Sequence, residues 1–338
     1  MKFRNLFLRS ATTLGLALFV NIAGIGLAQA HDKQASQAPR MGAMMNLDQL
    51  MRAFQWDMDN AEIRVEKVTD NFYVLFGLGG NIGVSIGSQG VMIVDDQFPE
   101  LIPKVADAIR GIGGGSIDFA INTHWHFDHA EGNLALGPGG TWIVSQANSR
   151  EKMLGDHVIN LVVAKYLQKA YPKSALPVIT YDDTMQFHFN DEQVDLMHFG
   201  PAHTTGDTAI YFRGSNVVHL GDVFNRSGYP FVDADNGGDL AGMIHFCEQV
   251  LASIEQDTVV VPGHGEISDY AGLQAYVDML QTVHDRIAKM VRRGKTMGEV
   301  IAAKPTADYD AAWGDATNFV NRAYTSIKKA RAAKGKKK

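Results

Sequence analysis

At 338 residues, 46% of them apolar, the chain is long enough for one large or two small domains with a sizeable buried core. Its formal net charge of −6 hides two basic ends: Lys2, Arg4 and Arg9 open the chain, and seven Lys or Arg crowd into residues 328–338. The body between them is strongly acidic, which excludes nucleic acid as its expected partner, and the single cysteine, Cys247, excludes an intrachain disulfide.

The three early positive charges precede an uncharged apolar run at 11–27 that ends in Ala28-Gln29-Ala30. That is the pattern of a secretory signal peptide with a small-x-small cleavage site after Ala30. It predicts a periplasmic or secreted protein with no stable membrane anchor after cleavage. Residues 31–60 are polar and Met-rich and read as a linker followed by a short helix. Residues 61–327 read as one domain with C-terminal helices, and 328–338 as a basic, solvated tail.

Within that domain, short apolar runs at 63–68, 72–76, 82–86 and 91–94 are separated by Asp70-Asn71, Gly79-Gly80-Asn81 and Gly87-Ser88-Gln89-Gly90, and predict strands joined by hairpin turns. A helical pattern at 99–110 stops at Gly111, and the run at 117–121 predicts a buried strand. A short helix at 131–136, a strand at 142–145 and a helical region at 146–169 follow. Strands are expected at 185–189, 194–199, 208–212, 217–220 and 258–261, with helices at 239–254, 268–293 and 309–332. Two sets of strands, each followed by helices, suit two packed sheets flanked by helices. Cys247 falls in the helical pattern at 239–254 and reads as a small buried hydrophobe.

The strand at 117–121 delivers Thr123-His124-Trp125-His126-Phe127-Asp128-His129. Three imidazoles and a carboxylate this close are half of a metal site, because neutral imidazole and carboxylate are ligands that zinc and its neighbours accept. The alternation of His124, His126 and Asp128 predicts an extended turn, with Trp125 and Phe127 packed beneath. Three more ligand-type residues follow apolar strands and are flanked by Gly or Pro: His203 in Gly200-Pro201-Ala202-His203, Asp222 after Leu220-Gly221, and His264 in Pro262-Gly263-His264-Gly265. Singly, each is as readily structural as ligating; strands running the same way would bring their ends to one edge.

In these residues the chain resembles the metallo-β-lactamase fold superfamily, whose signature is His-x-His-x-Asp-His followed by a later His, Asp and His. The resemblance spans about residues 63–269. It implies an α/β fold, a four-layer αβ/βα sandwich of two mixed β-sheets flanked by helices, with the site at the edge between the sheets. By motif, His124, His126 and His203 would hold a first metal, Asp128, His129 and His264 a second, and Asp222 would bridge them. Two Zn2+ per chain are implied, although a site with carboxylates among its ligands also suits iron or manganese.

Two such ions deprotonate a water, and the hydroxide attacks a polarised carbonyl or phosphoryl centre. Asp128 is the expected catalytic residue, able both to ligate and to orient that water. Asp95 and Asp207 are candidates for fixing an imidazole tautomer from behind, with turn capping as the alternative for each. His31, His157, His188, His198, His245 and His284 lack this context; His219 is expected to be buried near the site.

The substrate is less legible. The best-known β-lactamase subclass has Cys where Asp222 stands and Lys three residues later, whereas this chain has Asn225 there, followed by Arg226. Asp222 matches thioesterases of the glyoxalase II type, lactonases and phosphodiesterases. Export argues the other way, since a periplasmic enzyme meets β-lactams, lactones and other exogenous small molecules rather than glutathione thioesters. The reading is therefore a periplasmic dinuclear zinc hydrolase, β-lactamase-like, acting on a cyclic amide or ester, with Arg226 and Asn225 as candidate substrate-binding residues. A lactonase, thioesterase or phosphodiesterase is the alternative, and a metal-bound, non-catalytic binding module is the alternative of another class.

Overall fold

The computed structural model describes residues 42–336; the expected signal peptide, residues 31–41 of the expected linker and the last two tail residues lie outside them. The chain enters through β1 (Ala43–Met45) and α1 (Leu47–Phe54), whose Asn46 and Gln49 form a reciprocal capping box. Then β2 (Arg64–Lys67), β3 (Phe72–Phe76), β4 (Ile82–Gly87) and β5 (Gly90–Val94) run antiparallel as successive hairpins. Helix α2 (Ile102–Gly111) carries the chain back, so that β6 (Ile117–Asn122) lies parallel to β5. After α3 (Phe127–Ala130) and α4 (Asn133–Leu136), β7 (Trp142–Gln146) adds parallel to β6.

The expected helix over 146–169 is not what forms. Only α5 (Ala147–Met153) is helical; β8 (His157–Asn160) and β9 (Ala164–Gln168) follow as a hairpin, and β1 pairs parallel to β9 to make a small three-stranded sheet. Part of the reason is local: Gly155-Asp156 end the helix, Val158 and Ile159 of β8 are β-branched residues that favour a pleated surface, and Val162 turns the hairpin at φ 67°. The chain then returns through β10 (Ile179–Tyr181), parallel to β7, and the first large sheet has the order β10-β7-β6-β5-β4-β3-β2.

The second large sheet is built from β11 (Thr184–Phe189), β12 (Glu192–Met197), β13 (Ala209–Phe212), β14 (Val217–His219), β15 (Val259–Val261) and β16 (Ser268–Asp269), in that order. Helix α6 (Leu240–Ser253) connects β14 to β15, which pair parallel. Helices α7 (Tyr270–Arg292), α8 (Met297–Ala302), α9 (Asp310–Trp313) and α10 (Thr317–Lys336) close the chain. The expected single tract at 309–332 is thus two helices, broken where Gly314 takes φ 81°, and α8 was not foreseen. No helix of the described residues is long and apolar enough to cross a membrane.

Alternating residues place the layers. Phe72, Val74, Met92, Val94 and Ile121 of the first sheet meet Val194, Leu196, Ile210, Phe212 and Val217 of the second. The opposite face of the first sheet, with Leu75, Val91, Ile93 and Ala120, packs on Val105 and Ile109 of α2. The far face of the second packs on α6, α7 and α10. Helix, sheet, sheet, helix is the expected αβ/βα sandwich, with the three-stranded sheet added at its side.

Phe72 and Phe212 touch across the two sheets, both fully buried, with ring centroids 4.7 Å apart. Phe72→Ala is expected to lower stability by about 3–5 kcal/mol, measured by urea unfolding; a loss below about 1 kcal/mol would mean that the inter-sheet layer closes over the gap.

Candidate metal centre

The ends of four strands meet at one edge of the sandwich. β5 runs into Asp95, β6 into His124, β14 into Asp222 and β15 into His264, and the β12–β13 connection supplies His203. His126 is the last extended residue before α3, at φ −66° and ψ 149°. The extended turn expected for the whole motif therefore stops there: Asp128 and His129 lie in the single turn of α3, which folds both back toward the imidazoles of His124 and His126. Trp125 and Phe127 point the other way, into a buried cluster with Phe98 and Tyr166.

Three sets of ligand-type atoms converge, each set lying within 4.8 Å: His124, His126 and His203; His124, His129 and Asp222; and Asp128, His129 and His264. His126 Nδ1 stands 2.9 Å from His203 Nε2, and His129 Nε2 stands 3.1 Å from His264 Nε2. His264 Nε2 is 3.2 Å from Asp128 Oδ2. Asp222 reaches both sides, with Oδ2 3.6 Å from His203 Nε2 and Oδ1 3.2 Å from His129 Nε2 and 3.4 Å from His264 Nε2.

What stands behind the imidazoles decides which nitrogen carries the proton. Asp95 Oδ2 accepts from His129 Nδ1 at 2.7 Å. The same oxygen accepts the hydroxyl of Thr123, at 2.8 Å, leaving Thr123 Oγ1 to accept from His124 Nδ1 at 3.0 Å. Asp233 Oδ2 holds His126 Nε2 at 3.0 Å, and the Phe231 carbonyl holds His203 Nδ1 at 2.7 Å. Each of these rings therefore spends its N–H outward and turns a lone pair inward. The lone pairs of His126 Nδ1 and His203 Nε2 face each other, and His124 Nε2 and Asp222 Oδ1 are buried without a hydrogen-bond partner. Inward lone pairs, orphaned buried acceptors and a mixed nitrogen and oxygen donor set are what divalent cations such as zinc require, so the residues present fit the metals that the motif implies.

Electrostatics point the same way. Burial lowers the pKa of His124 well below the usual imidazole value, helped by neighbouring imidazoles, and burial also lowers that of His203, which keeps both rings in the neutral, ligating form. At His129 and His264 burial also opposes the charge, but Asp222 and Asp128 outweigh it and raise both, His129 strongly. In turn, burial disfavours the Asp222 carboxylate, yet His264 and His129 outweigh it and hold Asp222 well below its usual range. The two carboxylates thus call for positive charge beside them, which the His129 and His264 rings supply by protonation unless a bound cation takes that part and leaves the rings neutral.

Glycines bring the backbone within reach. A Cβ on Gly80 would lie 2.2 Å from His129 Cε1, and one on Gly79 would lie 2.4 Å from the Asp128 carbonyl oxygen. Next to them Asn81 donates its Nδ2 to the carbonyls of Pro262 (2.9 Å) and Gly265 (2.8 Å), on either side of His264. His219 is buried beside this loop, its Nε2 3.0 Å from the Asn81 carbonyl.

Asp207 does not orient an imidazole. Its Oδ2 accepts from the N–H of Thr204 (2.8 Å) and its Oδ1 from the Thr204 hydroxyl (2.7 Å), so it caps the turn that carries His203. The outward partner the sequence did not reveal is Asp233, an acidic residue in an irregular loop with no motif around it. Asn225 and Arg226 lie beside His264 through the backbone, Arg226 donating its N–H to the His264 carbonyl at 2.8 Å. The Asn225 amide oxygen accepts from Ser227 N–H (2.7 Å), and the exposed Arg226 brings Nη1 within 3.4 Å of where a Cβ on Gly272 would stand, at the start of α7. Cys247 is buried in α6, where burial pushes its thiol pKa well up.

With fold and site in view, the comparisons agree. The metallo-beta-lactamase superfamily model matches residues 93–264, just over half of the chain, and the chain belongs to that superfamily of metallo-hydrolases. A probable metallo-hydrolase of Methanocaldococcus jannaschii is 24% identical over 199 residues, 57% of this chain and 91% of that protein. A metallo-beta-lactamase from Pontibacter korlensis superposes with a TM-score of 0.54 at 16% identity, covering 65% of this chain and 99% of its own. The DIM-1 metallo-beta-lactamase gives 0.52 at 19% identity, covering 65% and 98%. At these identities the solved structures speak for the fold.

Glu131, one turn beyond Asp128, is buried with only the Tyr166 hydroxyl donating to its Oε1, at 3.0 Å. Burial, reinforced by Glu100 and Asp128, pushes its pKa up to about 7 from an ordinary 4.5. A carboxyl raised on folding favours its neutral form in the folded state, so stability is full below the unfolded pKa, falls as pH rises between the two values and stays reduced above the folded one. Glu131→Gln cannot ionise and is expected to gain stability over the native chain progressively between pH 5 and 8, read from thermal midpoints. Parallel midpoints across that range would show that Glu131 titrates normally.

Proposed function

We propose that this superfamily hydrolase is a dinuclear zinc enzyme of the periplasm that opens a cyclic amide or ester in a small-molecule substrate. The observation that carries the dinuclear reading is the division of Asp222, whose Oδ2 faces His203 while its Oδ1 faces His129 and His264. His124, His126 and His203 would hold one ion, Asp128, His129 and His264 the other, with Asp222 shared. When bound, such a pair lowers the pKa of a water and polarises the substrate carbonyl.

The residues themselves define the working face. His124, His129 and His203 are fully buried, whereas the side chains of Asp128, Asp222 and His264 retain 15%, 12% and 21% exposure, so substrate meets the centre from their side. Asp128 offers a carboxylate on that face, able to orient a water and take its proton, and needs no Ser or Cys nucleophile. Phe231, with its ring 6.0 Å from His126 and 5.7 Å from His203, adds an apolar wall. The periplasmic setting rests on the leader pattern at residues 1–30, and a carboxylate rather than a thiol at 222 keeps lactones beside lactams as substrates.

Nitrocefin, a homoserine lactone, a thioester and bis-nitrophenyl phosphate assayed on one purified sample separate these activities. Turnover of nitrocefin or the lactone is expected. Rapid lactone hydrolysis without nitrocefin turnover removes the lactam, and no turnover of any of them with metals bound points to a binding module. Asp128→Asn is expected to abolish turnover at near-native stability; full activity in that variant ends its assigned role. Elemental analysis is expected to return about two ions per chain, lost on chelation, and to identify the metal; a single tightly held ion would mean that Asp222 does not bridge.

A further inference from the structure

Beyond the family-matched segment, α10 reaches back toward the site, chiefly through Asp235. Asp235 accepts from Arg322 Nη1 at 2.7 Å, from Asn160 Nδ2 at 2.9 Å and from Lys329 Nζ at 3.0 Å. Lys329 also donates to the Ala234 carbonyl at 2.8 Å. Between these two cations on the same helical face, Ser326 donates to Asp239 Oδ1 at 2.8 Å and accepts the Leu240 N–H at 3.0 Å. The helix therefore grips both ends of the segment from Ala234 to Leu240.

The start of that loop does the aiming described above. Asp233 holds His126, the Phe231 carbonyl holds His203, and the Asp233 N–H donates to the His203 carbonyl at 2.9 Å. Asn236 ties the Asp233 carboxylate to the loop and to β8, donating to Asp233 Oδ2 at 2.8 Å and to the Val158 carbonyl at 3.0 Å. The Arg322 side chain is only 7% exposed while Asp235 is 37% exposed, so the pairing is partly screened on the carboxylate side and shielded on the guanidinium side. Removing the carboxylate would leave a nearly buried guanidinium without its charge partner.

We infer that α10 is a positioning element for one half of the metal centre: Arg322 and Lys329, acting through Asp235, hold the loop that aims His126 and His203. The other half is held by different means. His129 leans on Asp95, and His264 is clasped by Asn81. Disturbing Asp235 should therefore weaken one metal group and spare the other, an asymmetry that general destabilisation does not produce.

The inference rests on the metal-binding reading above, and the test separates the two. Zinc affinity is measured by chelator competition on the full chain in two backgrounds: His264→Ala, which isolates the His124, His126 and His203 group, and His126→Ala, which isolates the group of Asp128 and His129. Adding Asp235→Ala is expected to weaken zinc about 10- to 100-fold in the first background and to leave the second unchanged. Arg322→Ala should behave alike, Arg322→Lys should restore part of the loss, and the exposed Lys329→Met should give a smaller loss of the same kind without threatening the fold. Equal losses in both backgrounds, or none in either, overturn the inference alone. A native chain that binds no zinc removes the metal reading and the inference with it.

Discussion

A few buried carboxylates aimed at the outward nitrogens of histidine rings are the constraint on which the rest of this structure depends. Asp95 and Asp233 are both without solvent exposure, and an ionised carboxylate in such a place is costly unless fully hydrogen-bonded. Asp95 is satisfied by the Thr123 N–H and hydroxyl together with His129, and Asp233 by His126 and Asn236. One bond at each carboxylate, from His129 to Asp95 and from His126 to Asp233, also turns a ring, and the turned rings share a focus. Asp95 adopts φ 63° immediately after β5, a conformation uncommon for a side-chain-bearing residue, and this turn brings its carboxylate under the motif.

That requirement explains the architecture around it. Parallel pairing of β5 with β6 and of β14 with β15 puts the residues following those strands at the same end of each sheet, and packing the sheets face to face brings the two ends together. Large apolar side chains between the sheets set the distance. The glycines at 79 and 80 let backbone pass where any side chain would strike His129 or Asp128. About a third of the chain lies outside the part that superposes on the solved relatives, and α10, which follows the family-matched segment, bonds to the segment from Ala234 to Leu240.

How far the sequence revealed this follows from the range of each signal. The strands that form the sheets announce themselves by apolar runs between turn residues, and the motif from His124 to His129 is legible because its ligand-type residues are adjacent. The hairpin of β8 and β9 reads as helix because its apolar residues also fit a helical period, whereas its strands are completed by pairing with each other and with β1, more than a hundred residues earlier. Asp207 and Asp233 make the same point about partners. Asp207 lies four residues from His203 and serves its own turn, whereas Asp233 lies 107 residues from His126 and is its partner. Nearness in sequence predicted capping better than it predicted support.

The clasp of Asn81 has a mechanical meaning of its own. Its side chain and backbone bind the start of β4 in one sheet to the loop after β15 in the other, with N–H to Gly263 at 2.7 Å and the amide to Pro262 and Gly265. Two sheets joined only by apolar contact can slide over one another, since such contacts have little directionality. Stitched by directional bonds at this edge, and by Asn190 to Gln89, Ser85 and Gly90 at the far end of β4, the two sheets are held in fixed register, so the ligands that each contributes keep their separation.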